Sequence, residues 1–252
     1  MGKSCCARTD KHLGRHRIAC VLLGLVATVC VALGNWQLER AELRRALQDT
    51  ITRGRASSAL HLAADTAAEV LHDWRRASAQ GRWRDDLTVL IDNRNHAGRP
   101  GYWVATPLIL DGGTVAVLVL RGWLPRRFDG ALPAVAAPGA ARVHGQLLGH
   151  VPRMFELPRL WGQRQRPQSD TMPVVTNLAL TDFAQATGLV FLPAVLQQLS
   201  EDTDGLVRDW AGPSLDADKN IGYALQWFSF AAIALGAALV LLWRRMRHRH
   251  LA

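Results

Sequence analysis

The stretch GYALQWFSFAAIALGAALVLLW, residues 222–243, decides the architecture. From Tyr223 onward its 21 residues are almost wholly apolar, and about 20 such residues cross the roughly 30 Å hydrocarbon layer at 1.5 Å per residue. This stretch is expected to be a membrane helix. A second apolar run, IACVLLGLVATVCVAL, occupies residues 18–33 near the other end. Sixteen residues would also suit a signal-peptide core, but residues 34–37 continue the run and Arg17 can snorkel. Val31-Ala32-Leu33-Gly34 is a poor small-residue processing site, so anchoring is expected rather than cleavage. Two membrane helices would then flank one large domain.

The distribution of charge orients this arrangement. Of the net +9, the segment before the first span holds Lys3, Arg8, Lys11, Arg15 and Arg17 against Asp10, and the segment after the second holds Arg244, Arg245, Arg247 and Arg249. The 188 residues between, 34–221, carry 21 basic and 20 acidic side chains. A nearly neutral domain removes the motive for nucleic-acid binding. By the positive-inside rule both termini are expected in the cytoplasm and the domain in the periplasm, with the chain multi-pass in a bacterial inner membrane and in contact with its lipid. The expected organisation is a basic tail 1–17, a first span 18–36, an outer α+β domain 37–221, a second span 222–243 and a basic tail 244–252.

Cysteines are confined to Cys5, Cys6, Cys20 and Cys30, so the outer domain is expected to fold without a disulfide or a thiolate metal site. The Met1-Gly2 start resembles an acylation signal, but Cys6 stands where Ser or Thr is wanted.

Within the domain, residues 102–110 and 114–120 are rich in Val, Ile, Leu and aromatics and are separated by Asp111-Gly112-Gly113, a hairpin pattern. Residues 87–92 and 142–148 read as further strands. Residues 36–53 read as a helical stalk with mixed charges, 63–74 as a helix, and Thr181 as the cap of a short helix ending at Gly188. Residues 133–139 and 162–169 read as loops. The fold class expected is α+β, with two transmembrane helices flanking a mainly antiparallel extracytoplasmic domain.

Chemistry is sparse. No nucleophile elbow, Walker loop, dinucleotide fingerprint or His-Glu-x-x-His occurs, and no catalytic residue is assigned. Asp92, Arg94 and His96 gather at one strand exit, where a solvated turn is the plainer reading. His144 and His150 share parity but no carboxylate pattern joins them, so no metal is expected there.

Several blocks, read together, carry a resemblance. They are LGNWQLER at 33–40, GRW at 81–83, LIDNR at 90–94, GRPGYWVATPL at 98–108, LRGWLP at 120–125 and GYALQWF at 222–228. In this order, between two membrane helices, the chain resembles the surfeit locus protein 1 family of cytochrome c oxidase assembly factors. The resemblance implies a chaperone without turnover that helps build the haem-copper core, with the oxidase catalytic subunit and other assembly factors as partners. It also implies haem a as cargo. Two positions depart from the family pattern: Leu120 where Asn is usual, and Asn220 where many members have His. A carboxamide is a poor iron ligand, so haem a binding is expected to be weak or partner-dependent.

The candidate cofactor-binding residues are Tyr223, Gln226 and Trp227, with Arg121 and Arg94 as receivers of haem propionates, and Arg99 as a further candidate. Each also has a structural reading. Aromatic rings collect at membrane interfaces, and an Arg after a hairpin can close a sheet on an aromatic face. Gln226 favours a functional reading, because an amide in an apolar helix wants a partner. Rival functions are an envelope sensor, disfavoured by the nine residues after Trp243, and a membrane-tethered hydrolase, which lacks a recognisable nucleophile and base. Small residues at Gly24, Thr28 and Ala32, and at Ala232 and Gly236, predict packing of the spans along those stripes, with Cys30 on the opposite face.

Overall fold

The computed structural model describes residues 6–127, 139–154 and 172–250. The regions 133–138 and 162–169, read above as loops, lie outside them. The chain divides into two compact units, residues 1–48 with 214–252, and residues 49–213.

The first unit pairs helix α1 (Cys6–Ala56), which extends beyond it, with helix α3 (Ala217–His250). The first span and the stalk form one unbroken helix. Both helices are long and apolar enough to cross a membrane. Their burial pattern is inside out: Ala27, Cys30, Gly34 and Ala41 of α1 and Ala217, Asn220, Ala224, Ala231 and Ala234 of α3 are buried. Val21, Leu22, Leu25 and Val29, and Leu225, Phe230, Ile233 and Leu239, are exposed. Helices that pair through small residues and turn large apolar ones outward suit a lipid solvent, where association comes from close packing rather than from hiding apolar surface.

The seam corrects the expected stripes. Buried positions recur at alternating steps of three and four, the 3.5-residue spacing of a two-helix seam, not every fourth residue. A Cβ added to Gly24 or Gly236 would meet no atom within 4 Å, whereas one at Gly34 would come within 2.6 Å of the Phe228 ring. Thr28, Ala32 and Ala232 are exposed, and Cys30 lies in the seam rather than opposite it.

The second unit is built on eight strands: β1 (Leu60–Leu62), β2 (Arg76–Trp83), β3 (Val89–His96), β4 (Arg99–Leu110), β5 (Val115–Pro125), β6 (Ala140–Leu148), β7 (Val174–Val175) and β8 (Val190–Gln198). The order is β1-β2-β6-β8-β5-β4-β3-β7, and an added β2–β4 pairing closes β2, β6, β8, β5 and β4 into a small barrel. Antiparallel pairs dominate, with parallel pairs at β1–β2, β3–β7 and β5–β8, so the α+β sheet is mixed. Alternating side chains fill the barrel: Ala77, Ala79 and Trp83 of β2 meet Leu108 and Leu110 of β4, Val117 and Val119 of β5, and Leu192, Ala194 and Leu196 of β8. The opposite faces of β4, β5 and β8 pack under helix α2 (Leu180–Thr187) through Phe183, with Leu178 of the preceding segment in the same cluster.

The four expected strands are present. Residues 63–74 are not a helix: only Ala68–Val70 makes a 3-10 turn. Alanine propensity loses here to the flanks, since Leu60–Leu62 pairs with β2 and the Trp74 N–H donates to the Leu147 carbonyl. Gly188 stops α2 at φ 70°, as the sequence suggests, but the N-cap is Ala179. Thr181 lies inside the helix and its hydroxyl donates to Asp182.

Two bulges position the arginines singled out above. On β3, Ile91 pairs with Trp103 but Arg94 with Gly101, so β3 carries an extra residue, with Asn93 at φ 61°. On β5, Leu120 pairs with Ala105 and Gly122 with Val104, which leaves Arg121 as the extra residue. A bulge bends its strand and re-aims a side chain.

Candidate functional site

Arg94 follows its bulge into the interior and is 4% exposed. Its guanidinium lies 4.4 Å over the Trp103 ring, and Nη2 donates to the carbonyls of Pro152 at 2.8 Å and Thr176 at 3.3 Å. The Trp123 indole donates to the Arg94 carbonyl at 2.7 Å. Trp103 meets Trp210 edge-on at 5.4 Å, and Trp210 donates to the Gln198 carbonyl. Burial pushes the Arg94 pKa below the ordinary arginine value. The side chain still carries its charge, which is stabilised here by carbonyl dipoles and an aromatic face. The reading of Asp92, Arg94 and His96 as one solvated turn is thereby corrected. Asp92 pairs with Arg126, His96 rests 5.1 Å from Trp123, and Arg94 turns inward.

Arg121 is 1% exposed. It lies 5.0 Å over the Trp83 ring and donates to Asp204 at 3.0 Å. Both Asp204 oxygens also accept from Arg208 Nη2, at 2.7 and 2.6 Å, and one accepts the Leu206 N–H at 3.2 Å. Desolvation lowers the Arg121 pKa more than Asp204 raises it. Burial raises the Asp204 pKa, but the Arg208 hydrogen bond, the Leu206 N–H and the two guanidinium charges outweigh it and hold the carboxyl below its usual range. Trp123 and Val207 exchange backbone bonds at 2.7 and 3.0 Å, bringing the 204–208 segment against β5. Glycine is needed beside Arg121, because a Cβ at Gly122 would come 2.6 Å from the Leu206 side chain.

The other candidates lie on α3, in the helical unit. Tyr223 is 52% exposed, Gln226 is exposed, and Trp227 is half-buried and meets Phe230 edge-on at 6.1 Å. Asn220 is 7% exposed, and its amide donates to the Gln37 side-chain oxygen on α1 at 2.7 Å. Tyr223, Gln226 and Trp227 thus share one helix, while Arg94 and Arg121 belong to the barrel unit. Arg99, also of the barrel unit, is exposed.

Asn220, at the usual His position, is committed to Gln37, and the guanidinium groups of Arg94 and Arg121 are engaged inside the barrel unit. What α3 does offer is an outward face of Tyr223, Gln226 and Phe230.

Among the described residues no three His, Cys, Asp or Glu side chains group as a metal site. A cleft of about 620 Å³ brings Ser57, His72 and Asp73 together with Thr50, Arg53, Gly54 and Leu71. The Ser57 hydroxyl donates to the Arg53 carbonyl at 2.9 Å, and Asp73 accepts the Gly149 N–H. Nucleophilic catalysis needs a base bonded to the hydroxyl and oriented by a third group; this cleft commits the Ser and the Asp elsewhere. Gln37, Asp204, Arg208 and Trp210 were not singled out in the sequence. Residues 204–208 form no helix, so helical spacing gives no sign of the Asp204–Arg208 pair.

Comparison with known proteins agrees with the blocks. The model of the SURF1 family matches residues 24–232, which takes in most of the apolar run of α1, the barrel unit and the first part of α3. An uncharacterized SURF1-like protein of Mycobacterium bovis is 27% identical over 161 residues, 64% of this chain and 57% of its own length. Uncharacterized SURF1-like proteins of two Mycobacterium tuberculosis strains match to the same extent. The aligned region therefore spans a little over half the length of these relatives. With the family model covering most of the sequence, the chain belongs to the SURF1 family.

Proposed function

We propose that this protein is a membrane-anchored assembly factor for a haem-copper cytochrome c oxidase, acting as a chaperone around haem a delivery to the catalytic subunit and turning over no substrate of its own. The observation that carries this reading is the family match across the barrel unit and into the apolar part of each flanking helix, joined to a helix pair whose large apolar side chains face outward. The chain sits in a bacterial inner membrane with both termini in the cytoplasm. A cytoplasm-dependent reporter fused after Ala252 is expected to be active, as is an export-dependent reporter inserted within 133–139; an exported C-terminus would overturn this topology.

Haem a is cargo here, and when bound it supplies the redox chemistry that the finished oxidase uses. When haem a is bound, Tyr223, Gln226 and Phe230, with Trp227 beside them, would offer it an aromatic and amide face, and the iron ligand would come from a partner protein, since the Asn220 carboxamide is a poor one. Titration of the detergent-purified chain with haem a is expected to give weak binding without a histidine-ligated spectrum, and tighter binding once the catalytic subunit is added. Tight stoichiometric binding by the chain alone, with a histidine-ligated spectrum, would contradict the partner requirement.

A further inference from the structure

We infer that the Asn220–Gln37 amide pair sets the register of the helix hairpin. The seam around it is degenerate. Ala27, Gly34 and Ala41 on α1 recur at intervals of seven, as do Ala217, Ala224, Ala231 and Ala238 on α3. Sliding one helix past the other by a heptad would bring most small residues against small residues again, the Gly34–Phe228 contact excepted, so packing discriminates among registers only in part.

Asn220 and Gln37 break that degeneracy. They sit at seam positions, Asn220 buried and Gln37 half-buried, and the 2.7 Å bond satisfies an amide hydrogen and the oxygen facing it. A slip of seven residues along α3 would bring Trp227, or a position before α3 begins, to the level of Gln37 and break the amide pair. Losing a hydrogen bond between amides in an apolar seam is costly, so the pair adds a penalty on wrong registers to the one packing imposes. A second cross-helix bond, Arg44 to the Asp216 carbonyl at 2.6 Å, lies among exposed side chains, where water competes for both groups. A single buried polar pair in an otherwise uniform seam is a known means of fixing alignment. In this chain it also decides which residues of α3 face outward: with Asn220 turned to α1, Tyr223, Gln226 and Phe230 point away from it.

The test maps register directly and does not depend on the assembly role. In full-length protein in native membranes, with Cys5, Cys6 and Cys20 changed to Ser, the resident Cys30 is paired in turn with Ala224→Cys, Trp227→Cys, Ala231→Cys, Ala234→Cys and Ala238→Cys. A short thiol-specific cross-linker then reports which level each position occupies. With Asn220 and Gln37 intact, one level should dominate. In Asn220→Leu the dominant product should fall several-fold and products one heptad away should rise; Gln37→Leu should behave alike, which guards against failure of one variant to accumulate. The exchange Asn220→Gln with Gln37→Asn should restore the single level. An unchanged cross-linking profile in both Leu variants would overturn the inference.

Discussion

Asp204→Asn should destabilise the barrel unit by about 3–5 kcal/mol, the usual cost of removing one member of a buried ion pair. Arg121 and Arg208 both depend on this carboxylate, and all three side chains are nearly inaccessible, with 1%, 8% and 6% exposure for Arg121, Arg208 and Asp204. An amide of the same shape keeps one acceptor and loses the charge, so two guanidinium groups in a poorly solvated site lose the carboxylate that they share. For a domain of this size the loss corresponds to a midpoint shift of roughly 6 to 20 °C, measurable by tryptophan fluorescence in detergent because Trp83 lies against Arg121. Acid should act in the same direction. The Asp204 pKa is lower in the folded than in the unfolded chain, so its contribution is fully present above the unfolded value, about 3.9, and disappears as pH falls through the lower folded value. Asp204→Asn should therefore flatten the acid limb of the stability profile. A variant as stable as wild type would show that the Arg121–Asp204–Arg208 cluster contributes little.

The second large effect separates the observed seam from the stripes that the sequence suggests. Gly34→Leu places a side chain where a Cβ alone already comes within 2.6 Å of the Phe228 ring, and Cys30→Leu enlarges a buried seam residue. Both should force the helices apart, at a cost of about 1–3 kcal/mol by overpacking, and lower the oxidase level several-fold in a complemented deletion strain. Gly24→Leu and Gly236→Leu enter space with no atom within 4 Å and should leave both stability and oxidase level near wild type. Equal losses at all four positions would argue against the seam.

These residues also show where sequence reading succeeds and where it stops. Hydropathy locates α1 and α3 because a span of fixed thickness needs a fixed length of apolar chain. It does not give the seam, since small residues occur on several faces of both helices and only the facing helix distinguishes Gly34 from Gly24. Strands β3 to β6 are legible from their Val, Ile and aromatic content. Strand β2 is not, because its small residues, such as Ala77, Ala79 and Gly81, suit a crowded barrel wall rather than a propensity scale. In β8, Pro193 argues against a central strand, yet it falls in the irregular stretch between Phe191 and Val195 and is exposed.

The arginines illustrate the same limit at the level of the site. Arg94 and Arg121 stand out within their blocks, but what they bind is remote in sequence. Asp204 is 83 positions from Arg121, and Thr176 is 82 from Arg94. The bulges that turn both side chains inward depend on strand pairing, which no local pattern specifies. Asn220 reads in the sequence as a missing ligand and in the structure as half of an amide pair, because Gln37 lies 183 positions away.

The most direct test of the assembly role is the reduced-minus-oxidised haem spectrum of membranes from cells in which the gene has been deleted, recorded beside wild type and a complemented strain. The expected result is a large loss of haem a absorbance with haem b and haem c bands retained, restored by the wild-type gene. Haem a absorbance and oxidase activity unchanged by the deletion would contradict the proposed function.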